Sequence, residues 1–291
     1  MSISVKEINT DEFGHCVLIT DKKMNIVVTI DYGPRIVSVT SGDKPNLIYH
    51  ETSPEIDRCH GHKMRLTLER ASNGVYFDNS PVMYTLMEDG VKLIQTVKEP
   101  IRLELSMDIM PNSETESLMI AHSVVNKSKE PVKLSIYTET PLLHSGFVFV
   151  PQNTLDEPDK PQRILMLWNN TQWTDRRLHI GDQYITVMGN ETSSKLKIGL
   201  NNTAGLCGYI YGNDAFIKHY IHNKTALYPF SHCSTAVTAH ENFLSIQTAS
   251  PFYVIDPGEA ARHVENWRFL STEHLCSPDN ETSVDRLVQS I

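Results

Sequence analysis

The chain lacks most of the features that would place it in an extreme class of protein. It has no CxxC pair: five cysteines, Cys16, Cys59, Cys207, Cys233 and Cys276, are odd in number and scattered. That distribution excludes a disulfide framework and fits reduced thiols in a reducing compartment. No block of Lys or Arg is present and the formal charge is −9, which argues against a nucleic-acid partner, whose phosphates demand a concentrated basic surface. No apolar run approaches the ~18 residues that a membrane helix needs. Charges recur through the first stretch (Lys6, Glu7, Asp11, Glu12, Asp21, Lys22, Lys23), where a signal peptide would carry an unbroken apolar core. The expectation is a cytoplasmic protein with no membrane and no nucleic acid among its partners. Matches to N-x-S/T, such as Asn126-Lys-Ser128 and Asn190-Glu-Thr192, carry no weight without a secretory signal.

Helical periodicity is also scarce, and the period that dominates is two. Ile26–Ile30, Arg35–Val39, Val91–Val97, Ile101–Met107 and Leu118–Val124 are short, rich in β-branched residues and separated by Gly, Pro, Asn and Asp. The rhythm returns in Val132–Tyr137, Gln183–Met188, Lys195–Leu200, Leu206–Tyr211, Ala215–Tyr220, Phe243–Thr248 and Phe252–Ile255. A dozen or more strands at hairpin spacing predict an all-β fold, a large two-sheet antiparallel sandwich. Glu88-Asp89-Gly90 and Met110-Pro-Asn-Ser113 have hairpin-turn chemistry. Pro151 to Pro161 reads as a long exposed loop. Only the tail is helical: Val284, Leu287, Val288 and Ile291 fall at i, i+3, i+4 and i+7 after the caps Asp279, Asn280 and Thr282. Residues 1–291 are therefore read as a single domain, with 271–291 as a C-terminal tail bearing a short helix.

Chemistry concentrates in Cys59-His60-Gly61-His62-Lys63-Met64-Arg65, with Glu69 close behind. In an extended strand His60 and His62 share one face while Lys63 and Arg65 share the other. An imidazole pair two residues apart invites a metal-site reading, with Glu69 as a third ligand in a cupin-like barrel and Pro257-Gly258 with His263 as an echo of its second motif. The spacings do not fit that pattern, so no metal and no cofactor is expected. The alternative is a sugar site, since hydroxyls are gripped by charged and amide groups and the apolar sugar face rests on an aromatic ring. Arg35, His62, Lys63, Glu69, Trp168, Trp173, Asp175, Arg176, Arg177 and Lys218 are side chains of that kind.

Read in order, Tyr32-Gly-Pro-Arg-Ile36, Gly61-His-Lys-Met64, Leu167-Trp168 with Thr174-Asp-Arg-Arg177 and Gly181-Asp-Gln-Tyr184, Lys197-Ile-Gly199, Phe216-Ile-Lys218, Tyr228-Pro229, and Asp256-Pro-Gly-Glu259 with His263-Val-Glu-Asn-Trp267 resemble the DUF4380 proteins of the galactose mutarotase-like superfamily. The resemblance covers most of residues 20 to 270. It implies a β-supersandwich whose concave face forms a cup for a small-molecule carbohydrate. It implies Arg35, Lys63, Glu69, Trp168, Asp175 and Lys218 as sugar-binding residues, and His62, Glu139 and His122 as catalytic candidates for an aldose 1-epimerase-type isomerase.

In mutarotases a carboxylate takes the proton of the anomeric hydroxyl while a histidine protonates the ring oxygen, each transfer contributing on the order of 10² to 10⁴ in rate. The strand Val132 to Glu139 resembles the one that presents their histidine, yet it ends in Thr138-Glu139, and Ala236 stands where related sequences carry an acid. On this resemblance His62 is the acid and Glu139 the base of a rearranged pair; the rival reading is a non-catalytic sugar-binding or sensing protein.

Overall fold

Alternation of inward and outward side chains, rather than any helical stripe, organises the molecule, seen in a computed structural model. Residues 3–22, 24–50, 61–68, 75–76, 79–95, 102–153, 163–189, 194–272 and 274–291 are described. Their strands form three antiparallel sheets. The first is a four-stranded meander, Ser4–Thr10, Gly14–Asp21, Met24–Thr29 and Arg35–Ser41. The second has ten strands, in the order Leu178–Ile180, Tyr184–Met188, Phe147–Pro151, Leu206–Tyr211, Asp214–Tyr220, Ala260–Ser271, Ser117–Asn126, Leu103–Asn112, Gly90–Gln95 and Val82–Met87. The third has eight: Leu165–Leu167, Leu196–Leu200, Thr235–Ala239, Phe243–Ala249, Val132–Leu143, Lys63–Leu68 and Val75–Tyr76, with Tyr253–Ile255 also paired to Val132–Leu143.

The predicted antiparallel β-sandwich with its short C-terminal helix is what the chain adopts. One cluster of buried residues draws Ile26 and Val39 from the first sheet, Met107, Phe216 and Trp267 from the second, and Ile198 and Ile246 from the third. Packing large apolar side chains between sheets is the main favourable term, at about 1.5–3 kcal/mol for each fully buried one.

The longest strand not read from sequence, Ala260–Ser271, is also among the most deeply placed, between Asp214–Tyr220 and Ser117–Asn126. Its inward positions are Ala261, His263, Glu265, Trp267 and Phe269, all buried. Two of these five are ionisable, which disguises the apolar alternation that marks a strand.

The Glu88-Asp89 turn does join Val82–Met87 to Gly90–Gln95, with Met87 opposite Gly90. The turn expected at Met110–Ser113 lies further on: the ladder continues to Asn112 opposite Ser117, so Met110 to Asn112 are strand. Asn112 Oδ1 accepts from Glu114 N and Thr115 N, a local bond that closes the turn beyond the strand. The proposed loop from Pro151 lies largely outside the described residues.

The helix Glu281–Gln289 begins at the cap Asn280, whose side chain accepts from Ser283 N. It lays Val284 and Leu287 onto Phe147, Tyr184 and Ile210 of the ten-stranded sheet. Glu281 accepts from the backbone N–H groups of Gln183 and Tyr184, both at 2.7 Å, pinning the first helical turn to a strand end. The described cysteines Cys16, Cys207, Cys233 and Cys276 are free thiols. Among the described residues no helix is long and apolar enough to cross a membrane.

Candidate functional site

The strand Val132–Leu143 runs through the eight-stranded sheet and presents different chemistry on its two faces. Thr138 and Thr140 turn toward the ten-stranded sheet, and Tyr137 and Glu139 turn away from it. Register carries the outward face across the sheet: Glu139 lies opposite Lys63 on one side and Gln247 on the other, and Tyr137 lies opposite Arg65. Gln247 in turn faces Ala236, Ala236 faces Gly199, and Lys197 two residues along faces Thr238. Leu165–Leu167 closes the row, with Trp168 N donating to Lys197 O at 3.2 Å.

Glu139 is the hub of this face. Arg65 Nη2 lies 2.7 Å and Lys63 Nζ 3.5 Å from its Oε2, and Gln247 Nε2 donates to its Oε1 at 3.1 Å. Burial alone would raise the Glu139 carboxyl, but Lys63 and Arg65, helped by the Gln247 hydrogen bond, hold it below the usual carboxylate range. Glu139 is thus an ion fixed in place.

An aromatic wall flanks the hub. Lys197 Nζ sits 4.6 Å from the centre of the Trp168 ring and 5.7 Å from that of Phe230. Phe230 meets Trp168 and Tyr137 edge-on, each at 5.8 Å between centroids. Burial lowers the Lys197 ammonium, and Glu139 acts in the opposite direction. Phe230, Ser231 and His232 all have positive φ (53°, 57° and 71°), a left-handed conformation costly for side chains with a Cβ. That turn delivers Phe230 and Ser231 to a cavity of about 510 Å³ lined also by Met166, Leu167, Trp168, Asn169 and Asn170. Small-molecule pockets of roughly 300–1,000 Å³ are usual.

The inward face of the same sheet holds a second polar group with no opening to solvent. Glu265 accepts from Trp267 Nε1 at 2.8 Å and from the hydroxyls of Thr138 and Thr248, and Lys218 Nζ lies 3.1 Å away. Lys218 also donates to Thr140 Oγ1 at 2.7 Å. Thr140 Oγ1 is 2.8 Å from His62 Nδ1, and His62 Nε2 is 2.9 Å from His122 Nε2. His122 Nδ1 faces the carbonyl of His263 at 3.2 Å.

Only one assignment of protons satisfies this chain with neutral rings. His122 Nδ1–H donates to the carbonyl, so its Nε2 accepts from His62 Nε2–H, and His62 Nδ1 accepts from Thr140, whose oxygen accepts from Lys218. Burial is the largest effect on both imidazoles, lowering His62 well below its ordinary value and His122 to about 4. Glu265, which burial would raise, is held well below the carboxylate range chiefly by Lys218. His62, His122 and Glu265 bring three potential metal-donor atoms within 4.8 Å of one another. The neighbouring Lys218 ammonium and the mutual hydrogen bonds already employ those atoms, and a dication there would meet a cation across Glu265.

The residues expected from sequence therefore divide. Lys63, Glu139 and Trp168 share the outward face. His62, His122 and Lys218 lie behind it in the sandwich interior, all with 0% exposure, so His62 and Glu139 are separated by the sheet and do not converge on one ring. Arg35 is buried in the four-stranded sheet, and its guanidinium donates to Asn79 Oδ1. Ile36 and His62 exchange backbone hydrogen bonds (3.1 and 2.8 Å), which places Arg35 beside Lys63 in register. Asp175 is clamped by Arg177 through contacts of 3.0 and 2.7 Å, in a turn preceding Leu178–Ile180. Glu69 and His60 lie outside the described residues.

Arg65, Lys197, Gln247 and Phe230 were not expected from sequence as binding residues. Arg65 follows Lys63 by two and Gln247 follows Ser245 by two, and that spacing was the available signal.

A sandwich of large antiparallel sheets with a polar face on one of them defines a class, the galactose mutarotase-like fold. The chain aligns with a galactose mutarotase related enzyme from Lactobacillus acidophilus at a TM-score of 0.58 and 13% identity, covering 90% of this chain and 100% of that one. A galactose mutarotase-like protein from Clostridium acetobutylicum aligns at 0.54 and 12%, covering 93% and 99%. A TPR-domain containing protein from Parabacteroides distasonis aligns at 0.62 and 13% over 90% of this chain, which spans about half (48%) of that longer one. No protein-family model matches the chain, and no curated protein matches it. These likenesses show the fold; the DUF4380 resemblance remains one of motifs.

Proposed function

We propose that the protein binds a small saccharide on the outward face of the eight-stranded sheet, with Trp168 and Phe230 against the apolar face of the ring and Lys63, Arg65, Glu139 and Gln247 gripping its hydroxyls. The observation that carries this reading is the adjacency of an aromatic wall to a fixed carboxylate and amide, the combination sugar recognition requires. The Gln247 side-chain oxygen, buried and without a hydrogen-bond partner among the described residues, adds an acceptor suited to a hydroxyl. Among the described residues the cysteines Cys16, Cys207, Cys233 and Cys276 are free thiols, in keeping with the cytoplasmic setting expected from the sequence.

Binding, not ring opening, is the lead, because Glu139 is stabilised as an anion and thereby weakened as a base, and because His62 stands behind the sheet. A second reading, epimerisation at the anomeric carbon, has one observation in its favour: Lys197, its ammonium lowered by burial, shares a face with Glu139 and would supply the acid that His62 cannot.

Thermal unfolding with a panel of monosaccharides tests the lead. A ligand at about 100 times its Kd adds about 2.7 kcal/mol to stability, and Trp168→Ala should abolish that gain. Absence of any shift with every saccharide tried, in a folded wild-type protein, rejects it. Anomer exchange followed by NMR decides between the readings: exchange at the spontaneous rate supports binding alone, whereas acceleration that disappears in Glu139→Gln establishes the second.

A further inference from the structure

The aromatic wall borders two places at once. It adjoins the outward row that ends at Glu139, and it lines the cavity of about 510 Å³, which none of Lys63, Arg65, Glu139, Lys197 or Gln247 lines. The row is long in itself. The Trp168 ring lies on Gly199, where an added Cβ would come 3.1 Å from it, and from Gly199 the pairing runs through Ala236 and Gln247 to Glu139. Three interstrand steps of about 4.8 Å put roughly 14 Å between the backbone beneath the ring and the backbone bearing the carboxylate. Phe230 bridges part of that interval, 5.8 Å from Trp168 and 5.8 Å from Tyr137. Hydrogen-bonding groups stand ready at both ends. Gln247 Oε1 is buried without a partner among the described residues. In the cavity the side chains of Asn169, Asn170 and Ser231, all exposed, make no hydrogen bond among the described residues. Exposed amides are ordinarily just solvated; these share a hollow with two half-buried rings, the pairing on which sugar recognition depends.

From these two places we infer that the protein takes a saccharide of at least two linked rings, one unit at the Glu139 hub and the next in the cavity, its hydroxyls bonded to Asn169, Asn170 and Ser231. The inference rests on the saccharide reading above and sets the length of its ligand. Trp168 and Phe230 contact both units. A single pyranose held at the hub reaches the wall but leaves the cavity to water. A second ring tethered to the first fills it without a second cost of association.

Calorimetry and thermal unfolding with matched sets of sugars separate the outcomes: methyl glucoside with maltose and cellobiose, methyl galactoside with galactobiose, and methyl xyloside with xylobiose. The methyl group caps the anomeric oxygen, so the comparison reads the second ring and not the glycosidic bond. At least one disaccharide should bind about tenfold or more tightly than its own methyl glycoside. Asn170→Ala and Ser231→Gly should each lower that ratio by about threefold or more, the worth of one hydrogen bond. Both positions are exposed, and the second has a φ of 57° that glycine accepts, so one variant carries the test if the other fails to fold. Equal binding of disaccharide and methyl glycoside in every set overturns the length inference and leaves the saccharide reading standing. A preference for the disaccharide that survives both substitutions undiminished overturns the placement of the second ring in the cavity, and binding of no sugar in any set overturns both readings.

Discussion

Keeping His62 and His122 as neutral rings at 0% exposure ties stability to pH through two residues. A histidine whose folded pKa is depressed takes its proton more readily in the unfolded chain. Its contribution is complete above the ordinary value of 6.5 and declines as the pH falls toward about 4 for His122 and lower for His62. Each ring then costs up to about 1.4 kcal/mol per pH unit within that window. Glu265, also depressed, acts in the same direction at lower pH, losing its contribution as the pH drops below its ordinary 4.5. Urea unfolding should show stability falling by about 2–4 kcal/mol between about pH 6.5 and about pH 5; a flat profile there would contradict the neutral relay. His122→Leu should cost about 1–3 kcal/mol at neutral pH, because it strands the His62 Nε2–H in the interior. The same variant should have a shallower acid limb.

At the scale of single elements, the C-terminal helix offers the cleanest test. Asn280 caps it through Ser283 N, so Asn280→Ala should lower stability by about 1 kcal/mol, measured as a shift of the denaturation midpoint. No change would mean the helix is held by Glu281 and its apolar face alone. This helix was legible because its spacing of Val284, Leu287 and Val288 is the period of a helix and of nothing else. The strands were legible as strands for the same reason, and Lys63 and Arg65 were correctly separated in direction from His62. What alternation could not reveal was which face meets solvent. Polar residues ordinarily face water, yet here both faces of Val132–Leu143 carry polar chemistry, and His62, just ahead of Lys63–Leu68, turns inward above that strand's apolar face of Met64, Leu66 and Leu68. His62, His122 and Lys218 therefore read as cup residues, although Thr140, Glu265 and a backbone carbonyl satisfy them internally. Ala260–Ser271 was hidden by the complementary effect, its inward His263 and Glu265 breaking the apolar rhythm.

Across the whole molecule, strand order departs most from chain order in the ten-stranded sheet. Ala260–Ser271 supplies both neighbours of the gap between Ser117–Asn126 and Asp214–Tyr220, pairing from Ser117↔Arg268 on one side and Lys218↔Trp267 on the other. It also brings Glu265, the partner of Lys218. A chain truncated after Gly258 should show no cooperative unfolding transition, since Lys218 would be buried without its carboxylate and two strands would lose their ladders. A cooperative transition in that fragment would show the sheet to be divisible. Long-range pairing of this kind also predicts folding on the slow, millisecond-to-second end of the scale, which stopped-flow refolding can measure.

The same placement has a consequence during synthesis. A ribosome releases the segments flanking the central slot long before the segment that fills it, so two unpaired strand edges face solvent while translation proceeds. Nascent chains stalled before Ala260 should accordingly recruit holdases or co-aggregate, and those stalled after Ser271 has cleared the exit tunnel should not.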